Sequence, residues 1–126
     1  MSTNVLVVDD SAVVRAMIIK TLRMAGVDLG EVFEAGNGRE GIETLQDKWV
    51  DLVFADLNMP EVNGEEMIDR MRANPVWADL PVVVISTEGS QTRIDRLRQK
   101  GAKFIHKPFS PEQIRDVVTP MIGAAL

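Results

Sequence analysis

The feature that most limits what this chain can fold into is an alternation. Short runs rich in Val, Ile, Leu and Phe recur five times, and each is followed by a segment of helical length with apolar residues every three or four positions. The runs are Val5 to Val8, Glu31 to Ala35, Leu52 to Ala55, Val82 to Ile85 and Lys103 to His106. The first, third and fourth are apolar almost throughout, which predicts parallel strands buried on both faces. The second and fifth carry charge and predict the edges of the sheet. Strict strand–helix alternation implies right-handed crossovers, hence an α/β, doubly wound, three-layer domain of five strands and five helices.

The helices are legible from their stripes and their ends. Val14, Met17, Ile18, Leu22 and Ala25 line one face of the first, with Ser11 placed to cap it and Gly26 to end it. Ile42, Leu45 and Trp49 mark the second, after the turn signal Gly36-Asn37-Gly38. Met67, Ile68 and Met71 mark the third, between Asn63-Gly64 and Asn74-Pro75. The fourth, Gln91 to Lys100 before Gly101, offers only Ile94 and Leu97. Ser110, Pro111 and Gln113 form a capping box for the fifth, whose stripe is Ile114, Val117, Val118, Met121 and Ile122; Pro120 is expected to distort it.

Composition narrows the chemistry. Val, Ile, Leu and Phe make up 38 of 126 residues, enough for a packed core, and no linker or low-complexity stretch divides the chain, so residues 1–126 are expected to form one domain. There is no Cys and a single His106, which excludes disulfide scaffolds, thiolate zinc sites, thiol nucleophiles and multi-histidine metal sites. The longest apolar runs fall far short of the roughly 18 residues of a membrane span, and the start lacks the cationic segment of a signal peptide, so a soluble, cytoplasmic protein without membrane partners is expected. A net charge of −5 and a pI near 4.8 argue against nucleic-acid binding, which needs many cations to displace phosphate counterions. Any site is expected to use carboxylates.

Ligands of doubly wound folds collect at the carboxyl ends of the strands. There the chain places Asp9-Asp10, Asp56, Ser86-Thr87 and Lys107-Pro108. Strands about 4.8 Å apart bring such groups within reach of one another. Two carboxylates about 5 Å apart repel by roughly 3 kcal/mol at an effective dielectric near 20, so three of them call for a cation or for protonation. Lys107 supplies one charge. The remainder suits Mg²⁺, which takes hard oxygen ligands, keeps several waters and accepts phosphate oxygens. The rim therefore reads as a phosphoryl-transfer pocket, with Asp56 as nucleophile, Asp9 and Asp10 on the metal, and Lys107 and Ser86 facing the phosphoryl group.

Together, Val7-Val8-Asp9-Asp10-Ser11, Asp56-Leu57-Asn58-Met59-Pro60 with Asn63-Gly64, Ile85-Ser86-Thr87, Gly101-Ala102-Lys103 and Lys107-Pro108-Phe109 resemble the receiver domain of two-component response regulators. The likeness runs from Asn4 to Ile122, and the Asn58-Met59-Pro60 run is similar to the stand-alone, chemotaxis-type regulators in particular. The resemblance implies a flavodoxin-like fold of strand order 2-1-3-4-5. It implies Asp56 as phosphoacceptor, Mg²⁺ held by Asp10, Asp56, the Asn58 carbonyl and, through water, Asp9, and Lys107 paired with the phosphoryl group across a cis Lys107-Pro108 bond. Ser86 and Phe104 fall on the switch positions, and Asn58 and Glu88 on those that tune phosphate lifetime. Phe104 stands where the family often has Tyr and lacks its hydroxyl, while Thr87 is bulkier than the usual Ala or Gly and is expected to narrow access.

The resemblance further implies a histidine kinase as phosphodonor and a protein target on the helix 4, strand 5, helix 5 face, where Arg93, Arg96 and Lys100 form a basic stripe suited to an acidic segment. A monomer is expected that catalyses its own phosphorylation and dephosphorylation without being a turnover enzyme. Taken singly, Asp9-Asp10 could be a helix-capping pair, Asp56 turn chemistry, Ser86 a strand end and Lys107 a solvated loop residue. None of these readings explains why all four fall at one edge. A phosphorylation-independent receiver that only binds proteins is the alternative. An aspartyl phosphatase is disfavoured because Asn58 stands where a general acid is needed, and a dinucleotide-binding domain because no glycines follow the first strand. His106 is expected to point away from the rim, and Trp49 and Trp77 to serve packing.

Overall fold

A computed structural model describes residues 2–122, and within it the side chain of Ile122 lies outside the described residues. The elements run β1 (Thr3–Val8), α1 (Ala12–Met24), β2 (Leu29–Ala35), α2 (Gly38–Asp47), β3 (Leu52–Ala55), α3 (Gly64–Ala73), β4 (Val82–Ser86), α4 (Gln91–Gln99), β5 (Lys103–His106) and α5 (Pro111–Ile122). The strands form one parallel sheet of order β2-β1-β3-β4-β5, so the two charged strands are its edges, as their sequences predict.

Period-two alternation divides the apolar side chains between two layers. Leu6, Val8, Val53, Ala55 and Val84 pack against Leu45 of α2, Met67, Ile68 and Met71 of α3 and Leu97 of α4. Val5, Val7, Leu52, Phe54, Val83, Ile85 and Ile105 pack against Ile18, Ile19 and Leu22 of α1 and Ile114 and Val118 of α5. Phe54 and Ile85, on the inner strands β3 and β4, are 0% and 1% exposed, and burying each such side chain contributes about 1.5–3 kcal/mol.

The caps follow the sequence signals. Ser11, Asn37, Asn63 and Ser90 each accept from the amide three residues on, opening α1, α2, α3 and α4. Ser110 and Gln113 close the reciprocal capping box at α5. Gly26 and Gly101 end α1 and α4 at φ +86° and +83°, a region costly for residues with a Cβ.

Two expectations are corrected. Met17 is 55% exposed, and Ile19 takes its place in the buried face of α1, because this helix is apolar on several sides and its stripe alone does not choose one. Trp49 lies beyond the end of α2 and is 75% exposed, its indole N–H donating to Asp51 at 3.0 Å, so it is a polar-anchored loop residue. Pro120 lies inside α5, two residues before its last described residue. Trp77 packs against the α2, α3, α4 layer as expected. Among the described residues no helix is long and apolar enough to cross a membrane.

Candidate functional site

The strand ladder continues one residue past the strands and so fixes where the carboxylates start. Val8 pairs with Ala55, and the next residues stay in step: Asp56 N–H donates to Val8 O and Asp9 N–H to Ala35 O, each at 3.0 Å. Lys107 N–H donates to Ser86 O at 3.0 Å on the other flank. Asp9, Asp10 and Asp56 each offer a carboxylate oxygen within 4.8 Å of the others.

The three acids have different surroundings. Asp9 is 2% exposed; its Oδ1 accepts from Ser11 N–H at 2.9 Å and its Oδ2 from Lys107 Nζ at 3.3 Å. Arg15 holds the same turn by donating to Asp9 O at 2.6 Å and bridging to Glu34. Asp10 is exposed, and Ser11 is the residue that caps α1, so the pair of acids is not a capping device. Asp56 is partly buried, with Leu57 N–H donating to Oδ1 at 2.7 Å and Lys107 Nζ 3.6 Å from Oδ2. Burial pushes the Asp56 carboxyl above its ordinary pKa; Lys107 opposes that, Asp9 adds to it, and the Leu57 and Asn58 amides oppose it.

The chain beyond Asp56 must pass close to it. A Cβ on Gly64 would collide with the Asp56 carbonyl, so the first residue of α3 has to be glycine. Ser86 is fully buried at the end of β4, and its Oγ accepts from Glu88 N–H at 3.1 Å. Thr87 and Asn58 are exposed, the Lys107-Pro108 bond is cis, and Phe104 packs partly buried against the α2, α3, α4 layer.

The basic stripe of α4 differs from a freely solvated face. Arg93 pairs with Glu88 at 2.7 Å, Arg96 donates to Glu65 at 2.8 Å, and Lys100 bridges Glu65 at 3.0 Å and Asp69 at 2.7 Å. The Arg96 and Lys100 hydrogen bonds hold the Glu65 carboxyl down to about 2. An acidic partner must compete with these carboxylates.

His106 lies on the sheet face that alternation gives it. Strand alternation puts it on the face of Phe104, with ring centroids 4.7 Å apart at 74°, and its Nε2 lies 3.0 Å from Glu88 O, because the loop after β4 folds back over that face. Sequence reasoning missed Arg15 and this contact; it named Gly64 after Asn63 but not its close approach to the Asp56 carbonyl.

The donor set fits Mg²⁺: it is all oxygen, carries three carboxylates against one lysine, and has one acid exposed toward solvent. By contrast, an open groove between β2 and α2, lined by Phe33, Glu34, Glu40, Glu43 and Asp47, shares no residue with it.

Comparison with known proteins agrees with this geometry. The family model described as "Response regulator receiver domain" matches residues 5–119. A chemotaxis protein CheY homolog of Campylobacter jejuni is 34% identical over 122 residues, covering 95% of this chain and 92% of that protein. The chemotaxis protein CheY of Thermotoga maritima is 36% identical over 116 residues, covering 90% and 92%. The structure of Vibrio cholerae chemotaxis protein CheY4 superposes with a TM-score of 0.83 at 31% identity, covering 97% of this chain and all of that one. Receiver domains generally bind Mg²⁺ at an acidic pocket of this kind. With its strand order, its acidic rim and these likenesses in agreement, the chain belongs to the response regulator receiver domain family, among its CheY-like members.

Proposed function

We propose that this protein is a phosphorylation switch of a two-component pathway, one serving chemotaxis or related signalling, in which Asp56 accepts a phosphoryl group from a phosphohistidine kinase. The observation that carries the reading is the position of Lys107, whose Nζ stands 3.3 Å from Asp9 and 3.6 Å from Asp56, closing a cup of three carboxylates. The chemotaxis names of its relatives support the pathway.

In the transfer step an Asp56 carboxylate oxygen bonds to phosphorus as the phosphorus–nitrogen bond of phosphohistidine breaks, and the electron pair returns to the imidazole. Asp56 must be ionised to attack, and Lys107 with the Leu57 and Asn58 amides favours that form against its burial. Asp9, Asp10, Asp56 and the Asn58 carbonyl would hold Mg²⁺. Bound there, the metal supplies positive charge against the carboxylates and the phosphoryl oxygens.

Once Asp56 is modified, its new oxygens attract the Lys107 ammonium and the Ser86 hydroxyl. Ser86 is tied to Glu88 N–H, so a shift of the hydroxyl pulls on the loop leading into α4. Phe104 and the face formed by α4, β5 and α5, with Arg93, Arg96 and Lys100, are the route by which that shift alters affinity for a protein target.

Incubation with Mg²⁺ and a small phosphodonor such as acetyl phosphate tests the reading by intact mass. One phosphoryl group is expected, dependent on Mg²⁺ and absent in Asp56→Asn. No gain in the wild type would favour a receiver that binds its partners without phosphorylation.

A further inference from the structure

The loop between β4 and α4 is held at one residue from several directions. The Glu88 amide donates to Ser86 Oγ, and the Glu88 carbonyl meets His106 Nε2, which donates because a carbonyl only accepts. The Glu88 carboxylate accepts from Gly89 N–H at 3.1 Å through Oε2 and from Arg93 Nη1 at 2.7 Å through Oε1. Its side chain and that of Arg93 are 21% and 25% exposed, so this ion pair is partly shielded from water.

Arg93 is not arranged for its own satisfaction. Its Nε is buried with no hydrogen-bond partner among the described residues, whereas Arg72, a bracing arginine, spends its Nε and Nη1 on the carbonyls of Lys100, Trp77 and Leu80. A buried donor left without an acceptor is uncommon in folded chains. What fixes the guanidinium is the carboxylate it holds. The backbone of Glu88 is tied to the rim: its amide bonds to Ser86 Oγ, and β4 is the hydrogen-bonded neighbour of the strand that ends before Asp56.

We propose that Arg93 is a positioning residue that prolongs the life of the phosphoryl group on Asp56 by keeping the Glu88 carboxylate folded against the start of α4. The proposal rests on the phosphoacceptor reading above. In hydrolysis, a water oxygen bonds to phosphorus while the bond between phosphorus and the Asp56 oxygen breaks. The electron pair returns to the Asp56 carboxylate, and the water's protons leave on inorganic phosphate. A free carboxylate beside this path accepts a hydrogen bond from the water and orients it for attack. One clamped by Arg93 does not.

The test follows decay of the phosphorylated full chain by intact mass, in Mg²⁺, after the acetyl phosphate is removed. Arg93→Met is expected to decay at least threefold faster than wild type, and Arg93→Lys, which keeps a cation within reach of Glu88, to stay within twofold. In a Glu88→Ala background, Arg93→Met is expected to add nothing. A loop merely loosened by losing Arg93 would accelerate decay equally in both backgrounds, and that result overturns the proposal, as does an unchanged decay in Arg93→Met. Wild-type chain that takes up phosphate and decays while the variants behave identically removes only this inference; wild-type chain that takes up none removes the phosphoacceptor reading beneath it.

Discussion

Lys107, at the end of edge strand β5, reaches across β4 and β3 to place Nζ 3.3 Å from Asp9 Oδ2 at the end of β1, a residue 98 positions away in the chain. The same ammonium lies 3.6 Å from Asp56 Oδ2, so one cation serves two acids on different strands. Removing it leaves both facing each other in a poorly solvated rim.

Lys107→Met is therefore expected to raise the Asp56 pKa further, since the lysine is the largest influence lowering it, and to slow phosphoryl uptake from acetyl phosphate by about 10²-fold or more. A pH titration of the Asp56 carboxyl by NMR and the rate of mass gain check the two halves. Uptake at the wild-type rate would remove Lys107 from the reaction.

Asp56→Asn should stabilise the metal-free protein. Burial raises the Asp56 pKa, so the folded state disfavours the charged form at neutral pH. The neutral variant escapes that penalty, so its Tm is expected to lie above that of the wild type near neutral pH. The gap should close as pH falls through the raised pKa, because the wild-type acid then becomes neutral in the fold as well. Millimolar Mg²⁺ should raise the wild-type Tm more than that of the variant. Melting curves across pH, with chelator and with Mg²⁺, measure all three.

Glu65 predicts an acid limb. Its pKa is lowered from 4.5 to about 2, so its contribution to stability is present above the ordinary value and lost as pH falls toward the lower one. Wild type should melt above Glu65→Gln near neutral pH, and the difference should shrink from pH 4.5 downward. A constant difference would mean that the Arg96 and Lys100 bonds do not titrate with it.

Gly64→Ala tests the close approach beneath the site. Its Cβ would meet the Asp56 carbonyl, which is backbone and gives only by moving the end of β3. A loss of about 1–3 kcal/mol is expected from denaturant unfolding, with weaker Mg²⁺ binding, because Asp56 moves with its carbonyl. Gly89→Ala, which meets nothing within 4 Å, is the matched control and should be near neutral.

Much of the fold was readable before any coordinates because the inner strands are apolar throughout and punctuated by turn chemistry. The limits of β3 and β5 match their sequence runs, while β1 and β2 begin two residues earlier. There the pairing of Thr3 with Leu29 is set by an irregular register, which no residue pattern announces. The acidic rim was readable because a strand-end position follows directly from strand limits. What stayed hidden depends on side chains meeting across loops: Arg96 finds Glu65 from 31 residues away, and Arg93 finds Glu88 at a spacing that no helix face produces. The basic stripe of α4 was visible, but the carboxylates that engage it were not.

The most direct test of the central claim locates the modified residue. The chain is phosphorylated with Mg²⁺ and acetyl phosphate, reduced with borohydride, which converts an aspartyl phosphate to homoserine, digested and mapped by peptide mass. The account predicts homoserine at position 56 alone; a label at Asp9, Asp10 or Ser86, with position 56 intact, would contradict it.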